Sequence, residues 1–574
     1  MEDINKICKQ CGEKFNVSSD DLKFLEKISP ELTGKKHLIS TPQMCHECRQ
    51  ITRYSWRNER HLYKRKCDLT GQPIISIYSP DKPFKIYSNS AYKSDKWDPM
   101  DYGQDFDFSR PFFEQFRKLL EKVPRLANNN VFNENSDYNN HTWHSKDLYM
   151  CFNAGYGENC LYCNESFYIK DCVDCFDIKN CESSYSLFDC ANCYDCSYLD
   201  HCKECSESHF SYDSYGCQNI ILSTGLKNKQ FFIRNKQYSK EEYFVELQKL
   251  NLSTRSGREK LSREFRELKK NAIHKTDHNL KSENCSGDYI IESKNCHDCY
   301  NIYKSEDCLR VVNIDAEARD CRDLSYIAEC ELCYSGVSIA GYKNILSIFI
   351  PYGENNYYCI SCENCKNCFG CIGLNHREYC ILNKQFSKEE YEAQFAKIIE
   401  KITETKEWGE FFPLGISPFG YNETVAQDYF PKLKDEALKI GASWLDKKYE
   451  AEFTGESYQP KDSIEDYINN ETEVKKLLNG VIKCKKSKKP FKIIPQELAY
   501  YLKNKIPIPT IHYNERFKQL FSLRNPRHLW KRQCMCEETG HDHEGHCKNE
   551  FETTYSPDRP EKVYCEKCYQ ESII

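Results

Sequence analysis

Two cysteine pairs near the start of the chain have the spacing of a zinc site. They are Cys8-x2-Cys11 and Cys45-x2-Cys48. Four thiolates in two such pairs suit a tetrahedral zinc ion, which displaces the thiol protons as it binds. Between the pairs, Ser18 with Asp21 three residues later predicts the N-cap of a helix. We therefore expect a structural zinc in a treble-clef or zinc-ribbon finger, the alternative being four reduced thiols without metal.

The two ends of the chain are copies of each other. Residues 49–67 read RQITRYSWRNERHLYKRKC and residues 516–534 read RFKQLFSLRNPRHLWKRQC. Each copy is followed by a second similar segment, YSPDKPFKIYSNSAY in the first and YSPDRPEKVYCEKCY in the second. The chain therefore carries a duplicated pair of fingers, one pair at each end.

The C-terminal copy has kept cysteines that the N-terminal copy lacks. Cys547-x17-Cys565-x2-Cys568 can complete a four-ligand set with either Cys534 or Cys536. Three histidines in the same stretch, His541, His543 and His546, could substitute for a cysteine. We predict a second zinc here with its fourth ligand open, and hence about two zinc ions per chain.

The matching positions of the other two fingers have lost their thiols. These positions are Thr70, Ser88 and Ala91 beside Cys67 in the N-terminal copy, and Ser487 and Glu515 beside Cys484 and His512 in the C-terminal copy. We expect the first of these fingers to be free of metal. The Cys, His and Glu set of the second could bind zinc, but we favour a finger that keeps its shape by packing.

A stripe of basic residues interleaved with aromatic ones runs through both copies. It contains Arg57, Arg60, Lys64 and Arg65 in the N-terminal copy and Arg524, Arg527, Lys531 and Arg532 in the C-terminal copy. Such a stripe can pair with phosphates and stack on bases, which would suit a nucleic acid or a ribosome. Alternatively, the arginines tie the fingers together through salt bridges and aromatic packing. The sequence leaves both interpretations open.

The middle of the chain repeats its cysteines. From Cys151 the period is 21 residues, and a looser repeat of 22 or 23 residues starts at Cys285. One register contains Cys151, Cys172 and Cys193. Asp and Asn before many cysteines supply turns and no segment has helical periodicity, which predicts a parallel β-solenoid. Its Cys-x2-Cys pairs could bind metal or an iron-sulfur cluster, but Ile178 and Leu199 occupy equivalent places, which favours cysteine as a small inward hydrophobe.

Length and cysteine content limit the class of protein. A chain of 574 residues is too long for one core. Its 36 cysteines would indicate disulfides in a secreted protein, but the start, MEDINKICKQCGEKF, lacks the apolar segment of a signal peptide. No run approaches the roughly 18 apolar residues of a membrane helix. We therefore expect a cytoplasmic protein that does not meet a membrane and whose cysteines are thiols or metal ligands.

These signals divide the chain into seven segments. They are an N-terminal finger pair (1–100), an amphipathic helix and linker (101–140), a first β-solenoid (141–238), a helical connector (239–280), a second β-solenoid (281–386), a capping helix, strap and linker (387–480), and a C-terminal finger pair (481–574). The predicted fold class is mixed and mainly β, with two cysteine-rich solenoids between duplicated fingers. Ser239 with Glu242, and Ser387 with Glu390, predict capping boxes for the helices that close the solenoids.

Motifs of catalysis are missing from the sequence. It contains no GxGxxG on a strand, no Walker loop, no HExxH and no GxSxG. We therefore expect no enzyme and no small-molecule substrate, and three function classes remain. The first is a zinc-binding scaffold that presents its fingers to an unknown protein, the second a nucleic-acid or ribosome-binding protein that uses the basic stripe, and the third a metal or redox protein that uses the solenoid cysteines.

Four segments are distinctive enough to compare with a known family. They are RNERHLYKRKC with YSPDKP, DKWDPMDYGQDFDFSRPFFEQF, SPFGYNETVAQDYFP, and FETTYSPDRPEKVYCEKCY. Together they resemble a family of uncharacterised zinc-ribbon proteins from small-genome bacteria, over nearly the whole chain. The first finger is also similar to the broader zinc-ribbon group with C-x2-CG and C-x2-CR pairs. The resemblance implies the finger fold and zinc, and some relatives carry a CoA-transferase label that no feature of this sequence supports.

Overall fold

Two long sheets of mostly parallel strands dominate the chain, and small two-stranded sheets and helices surround them. This architecture comes from a computed structural model that describes residues 2–314, 316–447, 449 and 453–573. The prediction of a mixed, mainly β chain is confirmed.

The N-terminal finger pair is built from short hairpins and helices. Its elements are β1 (Ile4–Ile7), β2 (Lys14–Val17), α1 (Ser19–Ile28), β3 (Glu31–Leu32), β4 (Lys35–Lys36), α2 (His46–Tyr54), β5 (Tyr63–Lys66), β6 (Pro73–Ser76), β7 (Ile86–Tyr87) and α3 (Asn89–Tyr92). Helix α1 begins as predicted, since the Ser18 side chain accepts from the Asp21 amide and the Asp21 carboxylate accepts from the Ser18 amide. This capping box satisfies two amides that the helix start leaves unpaired.

A short helical segment then leads into the first long sheet. It contains a 3₁₀ turn (Pro99–Tyr102), α4 (Phe112–Lys122) and β8 (Arg125–Leu126), which pairs in parallel with β7. The sheet that follows, here called the first stack, contains β9 (Asn130–Val131), β10 (Asn140–Trp143), β11 (Phe152–Gly155), β12 (Asn164–Phe167), β13 (Phe176–Lys179), β14 (Phe188–Ala191), β15 (Ser197–Asp200), β16 (His209–Tyr212), β17 (Gln218–Ile221), β18 (Gln230–Ile233) and β19 (Lys236–Gln237).

A left-handed residue at every third position sets the shape of the first stack. The angle φ is positive without a break in this pattern from His141 (53°) to Asp213 (48°). Left-handed backbone costs an ordinary residue about 1–2 kcal/mol, and Asp and Asn tolerate it best. The turn residues expected before cysteines have it, with φ of 48° at Asp171, 53° at Asn180 and 46° at Asp189. Three-residue segments, each ending at such a turn, therefore form the wall of the stack.

Each turn of the stack closes after 12 residues, not 21. Phe152 pairs with Asn164, Asn164 with Phe176, and Phe176 with Phe188, each step being 12 residues. The predicted 21-residue period is therefore wrong as a structural repeat. It is a multiple of the three-residue segment, so it returns cysteine to an inward position, but on a different side of the coil.

Inward positions of the first stack hold cysteine because its thiol reaches a nearby carbonyl. Cys163 is fully buried, and its Sγ lies 3.5 Å from the Leu161 carbonyl oxygen and 3.4 Å from that of Cys172. Ser184 uses an equivalent position in the same way, with its hydroxyl 2.9 Å from the Glu182 carbonyl oxygen. Inward side chains are therefore hydrophobes, such as Ile178 and Leu199, or short donors, and cysteine combines both properties, which is the packing role favoured for it.

A helical hairpin and a short strand join the two stacks. They are α5 (Lys240–Lys249), α6 (Arg255–Asn271) and β20 (Ile273–Lys275). The second stack contains β21 (Gly287–Ile291), β22 (Cys299–Tyr303), β23 (Ser305–Glu306), β24 (Val312–Ile314), β25 (Ala318–Arg319), β26 (Arg322–Ile327), β27 (Cys330–Glu331), β28 (Tyr334–Tyr342), β29 (Ile348–Glu354), β30 (Lys366–Phe369), β31 (Glu378–Ile381) and β32 (Lys384–Gln385). Its pairing steps vary, being 13 from Leu309 to Arg322 and 11 from Tyr334 to Ile345, in line with the looser repeat of its sequence.

The rest of the chain packs around the stacks. It contains α7 (Lys388–Glu404), 3₁₀ turns (Leu414–Ile416, Tyr421–Glu423), α8 (Val425–Tyr429), α9 (Lys434–Lys439), a 3₁₀ turn (Ile464–Tyr467) and α10 (Glu471–Asn479). Helices α5 and α7 both begin with the predicted capping boxes, at Ser239 and Ser387. The segment expected to be a linker before Asn479 is folded, because Ile464 and Leu477 are buried together in one cluster.

The C-terminal finger pair repeats the elements of the N-terminal one except the β3–β4 hairpin, which has no counterpart among the described residues. Its elements are β33 (Ile482–Lys483), β34 (Pro490–Phe491), α11 (Pro495–Lys503), α12 (Tyr513–Phe521), β35 (Trp530–Gln533), β36 (Glu550–Thr553), β37 (Lys562–Tyr564) and α13 (Glu566–Ser572). Strand β37 pairs in parallel with β20 before the second stack, as β7 pairs with β8 before the first. Each finger pair therefore sits at the start of one stack.

The three-residue repeat predicts how a substitution at a turn changes stability. Asn180 is exposed and left-handed, and its side chain donates an amide hydrogen bond to Asn192. Asn180→Val should lower the free energy of unfolding by about 1–2 kcal/mol relative to Asn180→Gly, because glycine takes the same φ without strain and both variants lose the amide. Urea denaturation measures the difference. Equal stability of the two variants would contradict the left-handed repeat.

Candidate metal centres and finger interfaces

Four cysteines of the N-terminal finger pair lie close enough to share one metal ion. Cys8 and Cys11 flank the turn between β1 and β2, while Cys45 caps helix α2 and Cys48 lies in its first turn. Their sulfur atoms all lie within 4.8 Å of one another, and the Sγ atoms of Cys11 and Cys45 are 3.8 Å apart. A tetrahedral zinc at about 2.3 Å from each sulfur requires sulfur-sulfur distances of about 3.8 Å. The donor set therefore fits such an ion.

Hydrogen bonds within this group favour a thiolate at neutral pH. The hydrogen bond from the Cys48 side chain lowers the pKa of Cys45, whereas burial raises it. Together with hydrogen bonds from Cys8 and Cys11, the lowering effect is larger and brings the pKa of Cys45 to about 4. The backbone amide of Cys45 in turn donates to Cys8 Sγ at 3.3 Å. Metal binding requires deprotonated thiols, so a pre-formed thiolate reduces the number of protons to be displaced.

The C-terminal finger pair builds an equivalent group from its second finger. Cys534 follows β35, Cys547 precedes β36, and Cys565 and Cys568 lie at the start of α13. These four buried cysteines also have ligand atoms within 4.8 Å of one another. The fourth ligand left open between Cys534 and Cys536 is thus Cys534. Cys536 lies instead in another group with His541, His543 and Cys568, while His546 lies in neither.

Hydrogen bonds also prepare Cys565 for a metal ion. Burial raises the pKa of Cys565, but bonds from the Asn549 side chain and from Cys568 outweigh it and bring the pKa to about 7. Asn549 Nδ2 lies 3.4 Å from Cys565 Sγ, and the Cys565 amide lies 3.2 Å from Cys534 Sγ. With four sulfur ligands supplied by the protein, either group leaves no coordination position for a water molecule, which is typical of a structural rather than a catalytic site.

The two other fingers hold their remaining thiols by backbone contacts. Cys67 accepts from the Ser88 amide at 3.3 Å, and Cys484 accepts from the His512 amide at 3.3 Å. Glu515 forms an ion pair with Lys486 at 3.4 Å and so does not join Cys484 and His512. In both fingers a sulfur atom thus accepts a hydrogen bond from a backbone amide, as Cys8 and Cys534 do in the other two fingers.

The stack cysteines are not gathered into such groups. Among the described residues, the sets of three or more clustered ligand atoms are the three groups in the finger pairs. Cys362, Cys365 and Cys368, whose spacing resembles part of a ferredoxin cluster motif, are fully buried and each thiol lies near the carbonyl two residues before it. Their three-residue spacing follows from the repeating backbone segment.

Most arginines of the basic stripe are used inside the molecule. Arg57 is buried, donates to the Ser338 hydroxyl at 2.6 Å and lies over the Tyr326 ring at 3.9 Å. Arg524, its counterpart in the C-terminal copy, pairs with Glu165 at 3.0 Å and Asp177 at 3.1 Å. Arg57 thus contacts the second stack and Arg524 the first. In each case the arginine contacts the stack that begins at the other finger pair.

Two more arginines join the two copies to each other. The guanidinium carbon of Arg60 lies 3.3 Å from the centre of the Phe517 ring in α12. Arg527 donates to the hydroxyl of Tyr54 in α2. These are reciprocal contacts, because each copy's arginine reaches the other copy's helix. Arginine on an aromatic face is favourable, and more so when water is excluded.

The last arginine of each copy braces the loop that follows. Arg65 lies 3.2 Å from the Phe84 carbonyl oxygen, and Arg532 lies 3.2 Å from that of Ser556. Both loops carry the YSPD motif, so the arginine braces the same loop in each copy. Lys64 and Lys531 are the exposed members of the predicted stripe.

Sequence reasoning missed the buried carboxylate that holds the first finger on the second stack. Asp323 is 1% exposed and lies 2.8 Å from Arg49 and 3.2 Å from Arg310. Arg310 also pairs with Asp21 of helix α1, at 2.7 Å. Burial alone would raise the pKa of Asp323, but the charges of Arg310, Arg49 and Arg53 hold it well below its ordinary value. The carboxylate is therefore ionised and paired.

The C-terminal copy repeats this contact on the first stack. Arg516, which aligns with Arg49, lies 2.7 Å from Asp174 and 3.4 Å from Glu497. Asp174 and Asp323 both have left-handed backbone, with φ of 55° and 56°. Arg49 and Arg516 are the first residues of the duplicated segments, and this shared position is the signal that could have identified them.

The fold and these sites define a cysteine-rich, mainly β protein with groups that could hold metal ions. No family model and no curated protein sequence matches the chain. The resemblance to zinc-ribbon proteins thus has no support from these comparisons. Within the described residues, no helix is long and apolar enough to cross a membrane.

The solved structures that match the chain include a weak likeness. It is a putative acetyltransferase from Desulfovibrio desulfuricans G20, at 9% identity and a TM-score of 0.09, and the match covers 48% of this chain and 81% of that one. A likeness at this level carries no argument about fold or function.

The buried pair predicts a large loss of stability from one substitution. Asp323→Ala leaves buried Arg49 without its carboxylate and Arg310 with Asp21 alone, and breaking such a buried pair costs about 3–5 kcal/mol. The control is Asp320→Ala, at a residue with the same backbone conformation (φ 53°) whose carboxylate pairs with Lys27 at the surface. Losing this surface pair should lower the free energy of unfolding by less than about 1 kcal/mol, apart from the cost of placing alanine in left-handed backbone, which both variants share. Urea denaturation compares them, and similar losses would contradict the interface.

The same pair predicts how stability changes with pH. Because the pKa of Asp323 is lower in the folded protein, its contribution is present above the unfolded value of about 3.9 and is lost as the pH falls toward the folded value. The difference in unfolding free energy between the wild type and Asp323→Asn should therefore shrink below about pH 4. A difference that grows on acidification would show that the carboxylate is not stabilised by its arginines.

Proposed function

We propose that the protein is a zinc-binding scaffold without enzymatic activity, in which two β-solenoids are held together by zinc-ribbon or treble-clef fingers. The observation that supports it best is the recurrence of a complete four-cysteine group in each finger pair, at different fingers of the duplicated unit. Structural zinc in such a group contributes folding energy directly. The metal would thus stabilise the surfaces through which the finger pairs contact the stacks.

Zinc is the ion that the donor chemistry favours. Thiolate ligands in tetrahedral arrangement select zinc or iron-sulfur clusters, and each group uses one cysteine pair around a hairpin turn and one at a helix start. Cys45 and Cys565 are the helix N-caps, so the partial positive charge of α2 and α13 also favours their thiolates. About two tightly bound ions per chain are expected.

The stacks support a scaffold because they are long and continuous. The first holds eleven strands in sequence order, and the second continues the arrangement after the α5–α6 hairpin. Repeat structures of this kind expose an extended surface to partners. The partner we propose is another protein in the same compartment, which we expect to be the cytoplasm.

Nucleic-acid binding is the less favoured proposal. Arg57, Arg60, Arg524 and Arg527 have their guanidinium groups on internal rings, carboxylates or hydroxyls. A phosphate would have to displace those contacts, which leaves Lys64 and Lys531 as the exposed basic groups of the stripe. Two lysines give a weak and strongly salt-dependent attraction.

Metal analysis of cysteine variants tests this proposal. After anaerobic purification and dialysis, wild-type protein should contain about two zinc ions per chain, and Cys48→Ser or Cys565→Ser should each contain about one fewer. The matched control is Cys67→Ser, which changes a buried finger thiol outside the metal groups and should leave the count unchanged.

Two results would contradict the proposal. Iron with a visible absorption band would instead support a metal or redox protein that uses the stack cysteines. Retention of both zinc ions in Cys48→Ser and in Cys565→Ser would show that other ligands hold the metal.

A further inference from the structure

An insertion distinguishes the C-terminal finger from its N-terminal copy. Twelve residues separate Cys534 from Cys547, whereas two separate Cys67 from Thr70 at the matching positions. The two flanking strands pair as a hairpin in both copies, so the insertion is an added loop rather than a change of fold. It contains Cys536, His541 and His543, which are all possible metal ligands.

The loop folds back so that these ligands meet a cysteine of the four-thiolate group. Ligand atoms of Cys536, His541, His543 and Cys568 all lie within 4.8 Å of one another. Cys536 is fully buried, and its Sγ lies 3.1 Å from Nδ1 of His541. Cys568 belongs to both groups. Two ligand sets therefore share one sulfur atom.

The hydrogen bonding of His543 leaves one ring nitrogen ready for a metal ion. Its Nδ1 lies 2.8 Å from the Gly545 carbonyl oxygen, so it carries the proton that makes this bond. The other nitrogen, Nε2, is buried and has no hydrogen-bond partner among the described residues. A buried acceptor without a partner is costly, and a metal ion bound there would satisfy it. A carbonyl on the opposite nitrogen is also the usual arrangement behind a histidine ligand.

We propose that the C-terminal finger binds a second metal ion beside its structural zinc, with Cys568 bridging the two. The inner ion is the one held by Cys534, Cys547, Cys565 and Cys568, and the proposal rests on that site. The outer ion is held by Cys536, His541, His543 and the same Cys568 sulfur. Two sulfur and two imidazole donors select a divalent ion of zinc type.

The outer ion should exchange with solvent more readily than the inner one. An open cleft of about 430 Å³ reaches the loop, and exposed Asp542 and Glu544 line it next to His543. Cys547 of the inner set also lines this cleft, whereas Cys534 and Cys565 are buried and do not line it. Three carboxylates (Asp542, Glu544 and Glu571) line the cleft with two lysines (Lys548 and Lys567), and Asp542 pairs with Lys567, so the lining keeps a modest net attraction for cations. The outer site therefore acts as a loadable position whose occupancy depends on free zinc.

Titration of the dialysed protein with zinc alone, followed by metal analysis, tests the proposal. Wild-type protein should take up one ion beyond its two tightly bound ones. The double variant His541→Ala/His543→Ala should keep the two tight ions and bind the additional one at least about 10-fold more weakly. His546→Ala is the matched control, because His546 lies in the same loop but outside the ligand group, and it should titrate like the wild type.

Cobalt substitution tests the bridge itself. When both positions contain Co²⁺, a shared sulfur should couple the two ions and reduce the magnetic moment per cobalt below that of the His541→Ala/His543→Ala variant, which contains only isolated ions. Uncoupled cobalt in the wild type would overturn the bridge.

Three metal counts would overturn the proposal. They are no uptake by the wild type, equal uptake by the double variant, and loss of one tight ion for each ion taken up. Fewer than two tight ions before titration would instead refute the structural zinc sites, so the two failures are distinguishable.

Discussion

A buried carboxylate on each stack fixes where the fingers lie. Asp323 on the second stack pairs with Arg49 of the N-terminal copy, and Asp174 on the first stack pairs with Arg516 of the C-terminal copy. A buried charge without its partner is strongly destabilising, so any other placement of a finger would be penalised. Since each finger pair also begins one stack and docks on the other, both pairs bridge the two stacks. In the function proposed above, metal bound by the four-cysteine groups keeps these docking surfaces folded.

The three-residue segment connects this docking to the cysteine content. A left-handed residue at every third position turns the chain, brings the next side chain inward, and presents Asp174 and Asp323 at equivalent turns. The same geometry explains why thiols fill the interior. Cysteine and serine both reach a carbonyl two residues back, as Cys163 and Ser184 do, and cysteine adds an apolar surface.

Local signals predicted much of the structure, and long-range ones little. The caps at Ser18 and Ser239 were readable because a capping box lies within four residues. The spacing of the finger cysteines was enough to predict the two metal groups. The choice of Cys534 over Cys536 as the fourth ligand depends on how the loop between Cys534 and Cys547 folds. The 12-residue coil was missed because any multiple of three preserves inward positions. The role of arginines such as Arg57 was also undetermined, since their partners are distant in the sequence.

Zero-length cross-linking of amines to carboxylates, read by mass spectrometry, tests the crossed arrangement most directly. Lys27, at the end of helix α1, pairs with Asp320 of the second stack, and its counterpart Lys503, at the end of α11, lies 3.3 Å from Asp171 of the first. The account predicts cross-links from residue 27 to 320 and from 503 to 171. Links from 27 to 171 or from 503 to 320 would place each finger pair on the other stack and contradict it.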